Sequence, residues 1–245
     1  MPSEPVVSIA VACEAPADFR MAKTLVERVV PLGANGRRYR GVDDAEQTDA
    51  IDVPFVRLAS VGELVEKSAM RYRSHGHFDG EPGAMDSMLA DKLFFLLNGT
   101  ASRPHAVIVV RDTDGHLERK SGWEQARASG KRNWPFRIVL GMAHPKRESW
   151  ILVGFDPQNP SETARLAELR RELFSPVEKP HALAATGSDD KKSAKRVLGH
   201  LTDGCHERED ECLCAPLEIL RQRGKETGLS AFLDEVEERL LPLLR

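Results

Sequence analysis

Apolar residues follow two distinct patterns along this chain. Two largely apolar runs, Val6–Cys13 and Val107–Val110, are rich in β-branched residues. Such runs are typical of strands that are buried in a parallel sheet. Two shorter runs, Val53–Leu58 and Phe136–Gly141, predict further strands. Together the runs predict the strands of one sheet.

Between the strands, apolar residues recur at the three- and four-residue spacing of amphipathic helices. Asp18 precedes the first of these segments and is expected to cap it. The predicted helices are 19–30, Val61–Tyr72, Ala84–Leu97, Ser121–Gly130, the start of His144–Phe155, and Ser161–Phe174. Strands that alternate with helices predict an α/β fold, with a mainly parallel central sheet flanked by helices.

A change of composition after position 175 divides the chain. Residues 176–190 are rich in Pro, small residues and turn formers, and we expect a linker or a surface loop there. Residues 191–245 predict a helical C-terminal extension, and residues 1–175 the α/β domain, with a helical insertion at about 59–98. The last helix carries an apolar stripe that packs on the α/β core or serves as a partner surface.

Charge and composition narrow the classes of function. A hydrophobic content of 41% is enough for a sizeable core, and a net charge of −3 indicates no general affinity for nucleic acid. A local basic groove stays open, and scattered surface arginines are the alternative. The arginines in question are Arg37, Arg38, Arg40, Arg71 and Arg73. No apolar run reaches the roughly 18–20 residues of a membrane span, so we expect a cytoplasmic protein without membrane contact.

Acidic residues follow the two most apolar strands. Asp112 and Asp114 come after Val107–Val110, and residues two apart on an extended chain point the same way. Glu14 directly follows the first strand. Because ligands bind at the carboxyl ends of parallel strands, we expect these carboxylates to meet there and to share a divalent cation. The alternatives are a plain turn at Asp114-Gly115 and a surface role for Glu14.

The pattern Glu14-x3-Asp18, followed by Asp112-x-Asp114, resembles the Toprim domain of topoisomerases, primases and OLD-type nucleases. The resemblance is strongest to the OLD-type branch and covers roughly residues 6–155. The segment 144–150, HPKRESW, further resembles small bacterial Toprim-like proteins. The chain departs from the family at Ala15, where a Gly often stands, and in the longer gap between the two motifs. The resemblance implies a Toprim-like fold.

The resemblance also implies roles for these residues. Glu14 would be a metal ligand close to the proton transfer, and Asp112 and Asp114 would hold one or two Mg²⁺ or Mn²⁺ ions. Asp18 would support a second metal position, although it can equally cap a helix. Glu148 would contribute a further acid, although acids are favoured at helix starts in any case. A phosphate-binding cation is also implied, and the choice is open among Lys120, Lys146, Arg147, Lys192 and Lys195.

These roles lead to the hypothesis of a divalent-metal-dependent nuclease in genome maintenance or anti-phage defence. By the resemblance, DNA is favoured over RNA as substrate, a separate ATPase is a candidate partner, and a homo-oligomer is open. One alternative is a non-catalytic subunit that binds nucleic acid or a partner. A second is suggested by the run Asp112-Thr-Asp-Gly115, which resembles the signature of haloacid-dehalogenase-like phosphatases, with Asp112 as the nucleophile. In that family the motif normally opens the fold, and Glu14 would have no role.

A cluster of metal-ligating residue types lies near the C-terminus. Its members are Cys205, His206, Cys212 and Cys214. Cysteine and histidine are zinc ligands, so a structural zinc site is one interpretation. The spacing matches none of the common zinc patterns, and free thiols are the alternative. The four cysteines of the chain do not have the pattern of a secreted disulfide framework.

Overall fold

A computed structural model describes residues 7–30, 55–68, 71–73, 82–101, 103–129, 133–187 and 189–244. The candidate groove residues Arg37, Arg38 and Arg40 lie outside these ranges. The chain forms two compact units. Unit 1 comprises Met1–Val110, Leu117–Leu140 and Glu235–Arg245, and unit 2 comprises Arg111–His116 and Gly141–Asp234.

A four-stranded parallel sheet is the centre of the α/β architecture, as predicted. Its strands are β1 (Ile9–Cys13), β2 (Phe55–Arg57), β3 (Ala106–Asp112) and β4 (Arg137–Ala143), in the order β2-β1-β3-β4. β1 pairs in parallel with both of its neighbours, with Cys13 opposite Arg57 and Ala12 opposite Val109. The last residues of β3 and β4 belong to unit 2.

The apolar runs explain why β1 and β3 take the central positions. All five residues of β1 are buried, and Val107, Ile108, Val109 and Val110 are each at most 1% exposed. Strands covered on both faces need apolar residues at every position rather than at alternate ones. The sheet therefore buries its two most apolar strands in the middle and leaves the short β2 at one edge.

Helices of unit 1 follow the predicted segments with shifted ends. They are α1 (Pro16–Val29), α2 (Val61–Lys67), α3 (Ala84–Asn98) and α4 (Glu118–Ala128). The prediction that α2 continues to Tyr72 is wrong, because Ser68 ends the helix in extended backbone and its hydroxyl donates to the Val65 carbonyl. A Cβ at Gly122 would lie 2.2 Å from the Gly83 carbonyl oxygen, so α3 and α4 approach closely where only glycine fits.

Unit 2 is mainly helical. Its helices are α5 (Arg147–Val153), α6 (Pro160–Glu172), α7 (Ala194–Thr202), α8 (His206–Leu213) and α9 (Leu217–Arg223). The Trp150 ring stacks on Phe232 at 5.1 Å between centroids, and its indole N–H donates to the Thr227 carbonyl. Trp150 is thus a core residue of this unit.

The helical C-terminal part of the chain is confirmed, and α10 (Leu229–Arg239) and α11 (Leu241–Leu244) complete it. Leu229, Phe232 and Val236 of the apolar stripe are fully buried, so the stripe is part of the core. The predicted linker 176–190 lies within unit 2 and contains a 3-10 turn at Pro180–Ala182. Within the described ranges, no helix is both long and apolar enough to span a membrane.

Candidate functional site

The chain turns sharply where β3 ends. Asp112 is the last residue of the strand, and Asp114 and Gly115 follow with positive φ angles of 49° and 83°. Backbone bonds hold the turn, since Thr113 N–H donates to the Ala143 carbonyl and Asp114 N–H to the Pro145 carbonyl, both at 2.8 Å. The prediction of an extended chain through Asp114 is therefore wrong. The carboxylates of Asp112 and Asp114 are related by a turn and not by strand alternation.

Asp112 is held by the start of α5. Its Oδ1 accepts the backbone N–H of Arg147 at 2.8 Å, and the Arg147 guanidinium lies 3.6 Å from Glu148 Oε1. Glu148 is only 7% exposed, whereas Asp112 and Lys146 are half-buried. Within unit 2 the structure thus brings together Asp112, Arg147 and Glu148 from the predicted site.

His144 follows β4 and contacts this turn; the sequence placed it in the segment 144–150 but gave it no role. Its Nδ1 lies 2.8 Å from the hydroxyl of Thr113, which is 1% exposed. Burial lowers the pKa of His144, the positive charge of His181 lowers it further, and Glu226 opposes the change. His144 is therefore mostly neutral at neutral pH and helps to hold the turn. A histidine shortly after the predicted strand Phe136–Gly141 is a weak signal in a sequence, because its partner Thr113 lies 31 residues away.

Glu14 and Asp18 lie close to the end of β1 in unit 1. Glu14 is exposed, whereas Asp18 is 7% exposed and its Oδ2 accepts the Ala15 N–H at 2.9 Å. Asp18 thus stabilises the start of α1 as the third residue of the helix, while Ala15 occupies the N-cap position predicted for Asp18. Burial raises the pKa of the Cys13 thiol, and the negative charges of Asp18 and Glu14 raise it further. Both carboxylates therefore act on the same end of β1.

The candidate metal ligands have suitable chemistry for a hard divalent cation. Glu14, Asp112 and Asp114 offer the hard oxygen atoms that Mg²⁺ and Mn²⁺ prefer. Among the residues that the structure describes, no three Asp, Glu, His or Cys side chains are grouped so as to hold an ion. Mg²⁺ is usually held by one or two carboxylates, with water and substrate phosphates as its other ligands. Asp112 and Asp114, both in unit 2, have the chemistry that such an open site needs.

The predicted phosphate-binding residues differ in their surroundings. Lys120 is exposed on α4, 3.8 Å from Glu124, and Lys195 is exposed on α7. Lys146 and Arg147 stand at the start of α5, where Arg147 contacts Asp112. The sequence did not single out Arg57, which ends β2. A basic residue at the end of the predicted strand Val53–Leu58 was the available signal.

The structure does not gather the C-terminal cysteine and histidine residues around one point. Cys205 and Cys214 are exposed, and the Cys205 thiol donates to Glu207 at 3.2 Å. Cys212 is 1% exposed, donates to the Arg208 carbonyl, and has its pKa raised to about 12 by burial. His206 instead lies 3.5 Å from Glu209. These contacts favour the free-thiol interpretation.

A buried ion pair in unit 2 has a structural role. Arg208 donates from Nε and Nη2 to the two carboxylate oxygens of Glu162, at 3.0 and 3.1 Å, and from Nη2 to the Asp156 carbonyl at 2.6 Å. Its guanidinium also lies 4.9 Å from the centre of the Phe155 ring. The bond from Arg208 lowers the pKa of Glu162. With 8% and 4% exposure, this pair has no room for a ligand and joins α6 to α8.

Compared with known proteins, the chain matches no family model, no curated protein and no solved structure.

Proposed function

We propose that this protein is a divalent-metal-dependent nuclease with a Toprim-like active site at the carboxyl ends of β1 and β3. The parallel pairing of these two strands is the observation that supports it. Glu14 follows β1 and Asp112 ends β3, so both acids come at the carboxyl ends of paired strands. In open α/β sheets this is where ligands bind.

Each acidic side chain of the proposed site has its own role in hydrolysis. Glu14 is exposed, and it would accept the proton of the attacking water. Asp112 and Asp114 would hold the ion, and the Arg147 N–H fixes the orientation of the Asp112 carboxylate. Glu148 acts through its ion pair with Arg147 as a positioning residue. When bound, Mg²⁺ or Mn²⁺ would activate the water and stabilise the leaving oxygen of the phosphodiester.

The expected substrate and partner come from the Toprim resemblance alone. DNA is the first substrate to test, and a separate ATPase is the proposed partner. The non-catalytic subunit and the phosphatase with Asp112 as nucleophile are alternatives that no specific contact favours. They give different results in the same assay and are therefore included in it.

Hydrolysis by the purified protein tests the proposal. Plasmid, linear DNA, RNA and a small phosphomonoester are each incubated with Mn²⁺ or Mg²⁺. The variants are Asp112→Asn and Glu14→Gln, which remove a charge and keep the size of the side chain. Glu218→Gln, at an exposed acid of α9, is the matched control.

We expect nucleic acid to be cleaved and both site variants to lose at least about a hundredfold in rate, because an ion and its ligands stabilise the transition state by several kcal/mol. The control variant should cleave like the wild type. Full activity of both site variants would contradict the proposal. Hydrolysis of the phosphomonoester alone would indicate the phosphatase, and binding of nucleic acid without cleavage would indicate the non-catalytic subunit.

A further inference from the structure

Arg57 ends β2 at the same edge of the sheet as Glu14. In the parallel pairing of β2 with β1, Arg57 stands opposite Cys13, the residue before Glu14. All three residues belong to unit 1. A positive side chain therefore comes one strand away from the acid of β1, at the edge where α/β sheets bind ligands.

The position of Arg57 is fixed by the packing of its strand. The Phe55 ring contacts Phe19 of α1, with 5.5 Å between the ring centroids. After Arg57 the chain leaves the sheet in a 3-10 turn, Leu58–Ser60, in which Leu58 is 2% exposed. Residues on both sides of Arg57 are thus anchored in the core. The base of its side chain is held at the strand end.

The guanidinium of Arg57 has a donor that remains unsatisfied. Its Nε is buried and has no hydrogen-bond partner among the described residues. A buried N–H without an acceptor costs free energy, so native proteins contain few of them. Arg57 as a whole is only partly buried, so a small rotation of its side chain would open Nε to a ligand. An oxygen atom of a bound anion would satisfy this donor.

The neighbour of Arg57 across the pairing does not compete for the guanidinium. Cys13 is fully buried, and its thiol donates to the Ala15 carbonyl at 3.5 Å. Nε and a terminal nitrogen of an arginine form a fork that matches two oxygens of a phosphate.

We propose that Arg57 binds the phosphodiester group of a nucleic-acid strand beside Glu14. The identity of the ligand rests on the proposed function, because the geometry alone specifies an anion with paired oxygen atoms. The sequence left this role open among Lys120, Lys146, Arg147, Lys192 and Lys195, and Arg57 is a new candidate. Its task is to hold the substrate, whereas the carboxylates carry out the hydrolysis.

Binding measured without hydrolysis tests this inference. A short fluorescein-labelled DNA strand is titrated with protein in EDTA, and anisotropy is recorded at several salt concentrations. The variant is Arg57→Met, which keeps most of the length of the side chain and removes the charged fork. Arg137→Met is the matched control, because Arg137 is exposed and begins β4 at the opposite, amino end of the strands. Both variants change the net charge equally, and hydrolysis with Mn²⁺ is measured separately.

We expect Arg57→Met to bind DNA about tenfold or more weakly than the wild type. The salt dependence of its binding constant should fall by about one phosphate contact. Arg137→Met should bind almost like the wild type. Arg57→Lys keeps the charge but loses the paired donors of the guanidinium, so its affinity for DNA should lie between those of Arg57→Met and the wild type. Should Arg57→Met fail to fold in a melting experiment, Arg57→Lys is compared with Arg137→Lys, and a loss of affinity in the first alone supports the inference.

The possible failures are distinguishable. Equal weakening by the variants at positions 57 and 137, or no weakening by either, overturns the role of Arg57, while Mn²⁺-dependent cleavage by the wild type would leave the nuclease proposal in place. If DNA binds through Arg57 but the wild type cleaves nothing, the inference stands and the nuclease proposal fails. A wild-type protein that binds no nucleic acid overturns both.

Discussion

Two arginines of this protein, Arg208 in unit 2 and Arg57 in unit 1, lie in contrasting surroundings. Arg208 donates to both oxygens of Glu162 and to the Asp156 carbonyl, and it packs over the Phe155 ring. Arg57 is partly exposed at a strand end and has a buried Nε without a partner in the part of the chain that the structure describes. A guanidinium with satisfied donors stabilises the fold. The unsatisfied donor of Arg57, at the edge of the sheet, is the basis of its proposed role in binding a phosphate.

The largest effect that this contrast predicts is on stability. Arg208→Met should lower the free energy of unfolding by about 3–5 kcal/mol, because it leaves the carboxylate of Glu162 buried without its partner. Urea denaturation measures the change. Arg171→Met, at an exposed arginine of α6, is the control. The double variant Arg208→Met/Glu162→Gln should recover part of the loss, and a single variant as stable as the wild type would contradict this account.

The same ion pair predicts a dependence of stability on pH. Arg208 lowers the pKa of Glu162 in the folded state below its ordinary value of 4.5. A carboxyl group whose pKa is lowered by folding contributes its full stabilisation at pH values above its pKa in the unfolded state. This contribution is lost as the pH falls through its pKa in the folded state. The stability difference between the wild type and Glu162→Gln should therefore be constant near neutral pH and shrink in acid. A difference that does not change with pH would contradict the charged pair.

The smallest effect is expected at the candidate site. Glu14 is exposed, so Glu14→Gln should change the free energy of unfolding by no more than about 0.5 kcal/mol, the usual range for surface substitutions. Urea denaturation beside Arg208→Met provides the direct comparison. A loss as large as that of Arg208→Met would mean that Glu14 belongs to the architecture and not to a binding site.

The sequence predicted the parts of the fold that depend on local apolar pattern. The strands β1 and β3, the helices α1 and α3, and the parallel sheet all follow from such patterns, because burial selects apolar residues at regular spacing. The end of α2 was missed, because the helix ends at Ser68, whose hydroxyl donates to the Val65 carbonyl, and such a bond leaves no periodic pattern. Helix ends depend on such local side-chain bonds more than on periodicity.

The candidate site was less predictable because its geometry depends on residues far apart in the chain. The turn at Asp114 is set by backbone bonds to Ala143 and Pro145, and the pairing of Arg208 with Glu162 spans 46 positions. Neither of these contacts produces a periodic pattern of residues in the sequence. Arg57 likewise becomes a candidate only when the register of β2 with β1 is known.

Binding of Mn²⁺ tests the central proposal, that Asp112 and Asp114 hold an ion, most directly. The wild type, Asp112→Asn, Asp114→Asn and the control Glu218→Gln are each titrated with Mn²⁺, and the electron paramagnetic resonance signal of the unbound ion is recorded. We predict that each of the two site variants binds Mn²⁺ at least about tenfold more weakly, since each removes a charged oxygen ligand, and that the control binds like the wild type. Wild-type affinity in either site variant would contradict a site that the two carboxylates share.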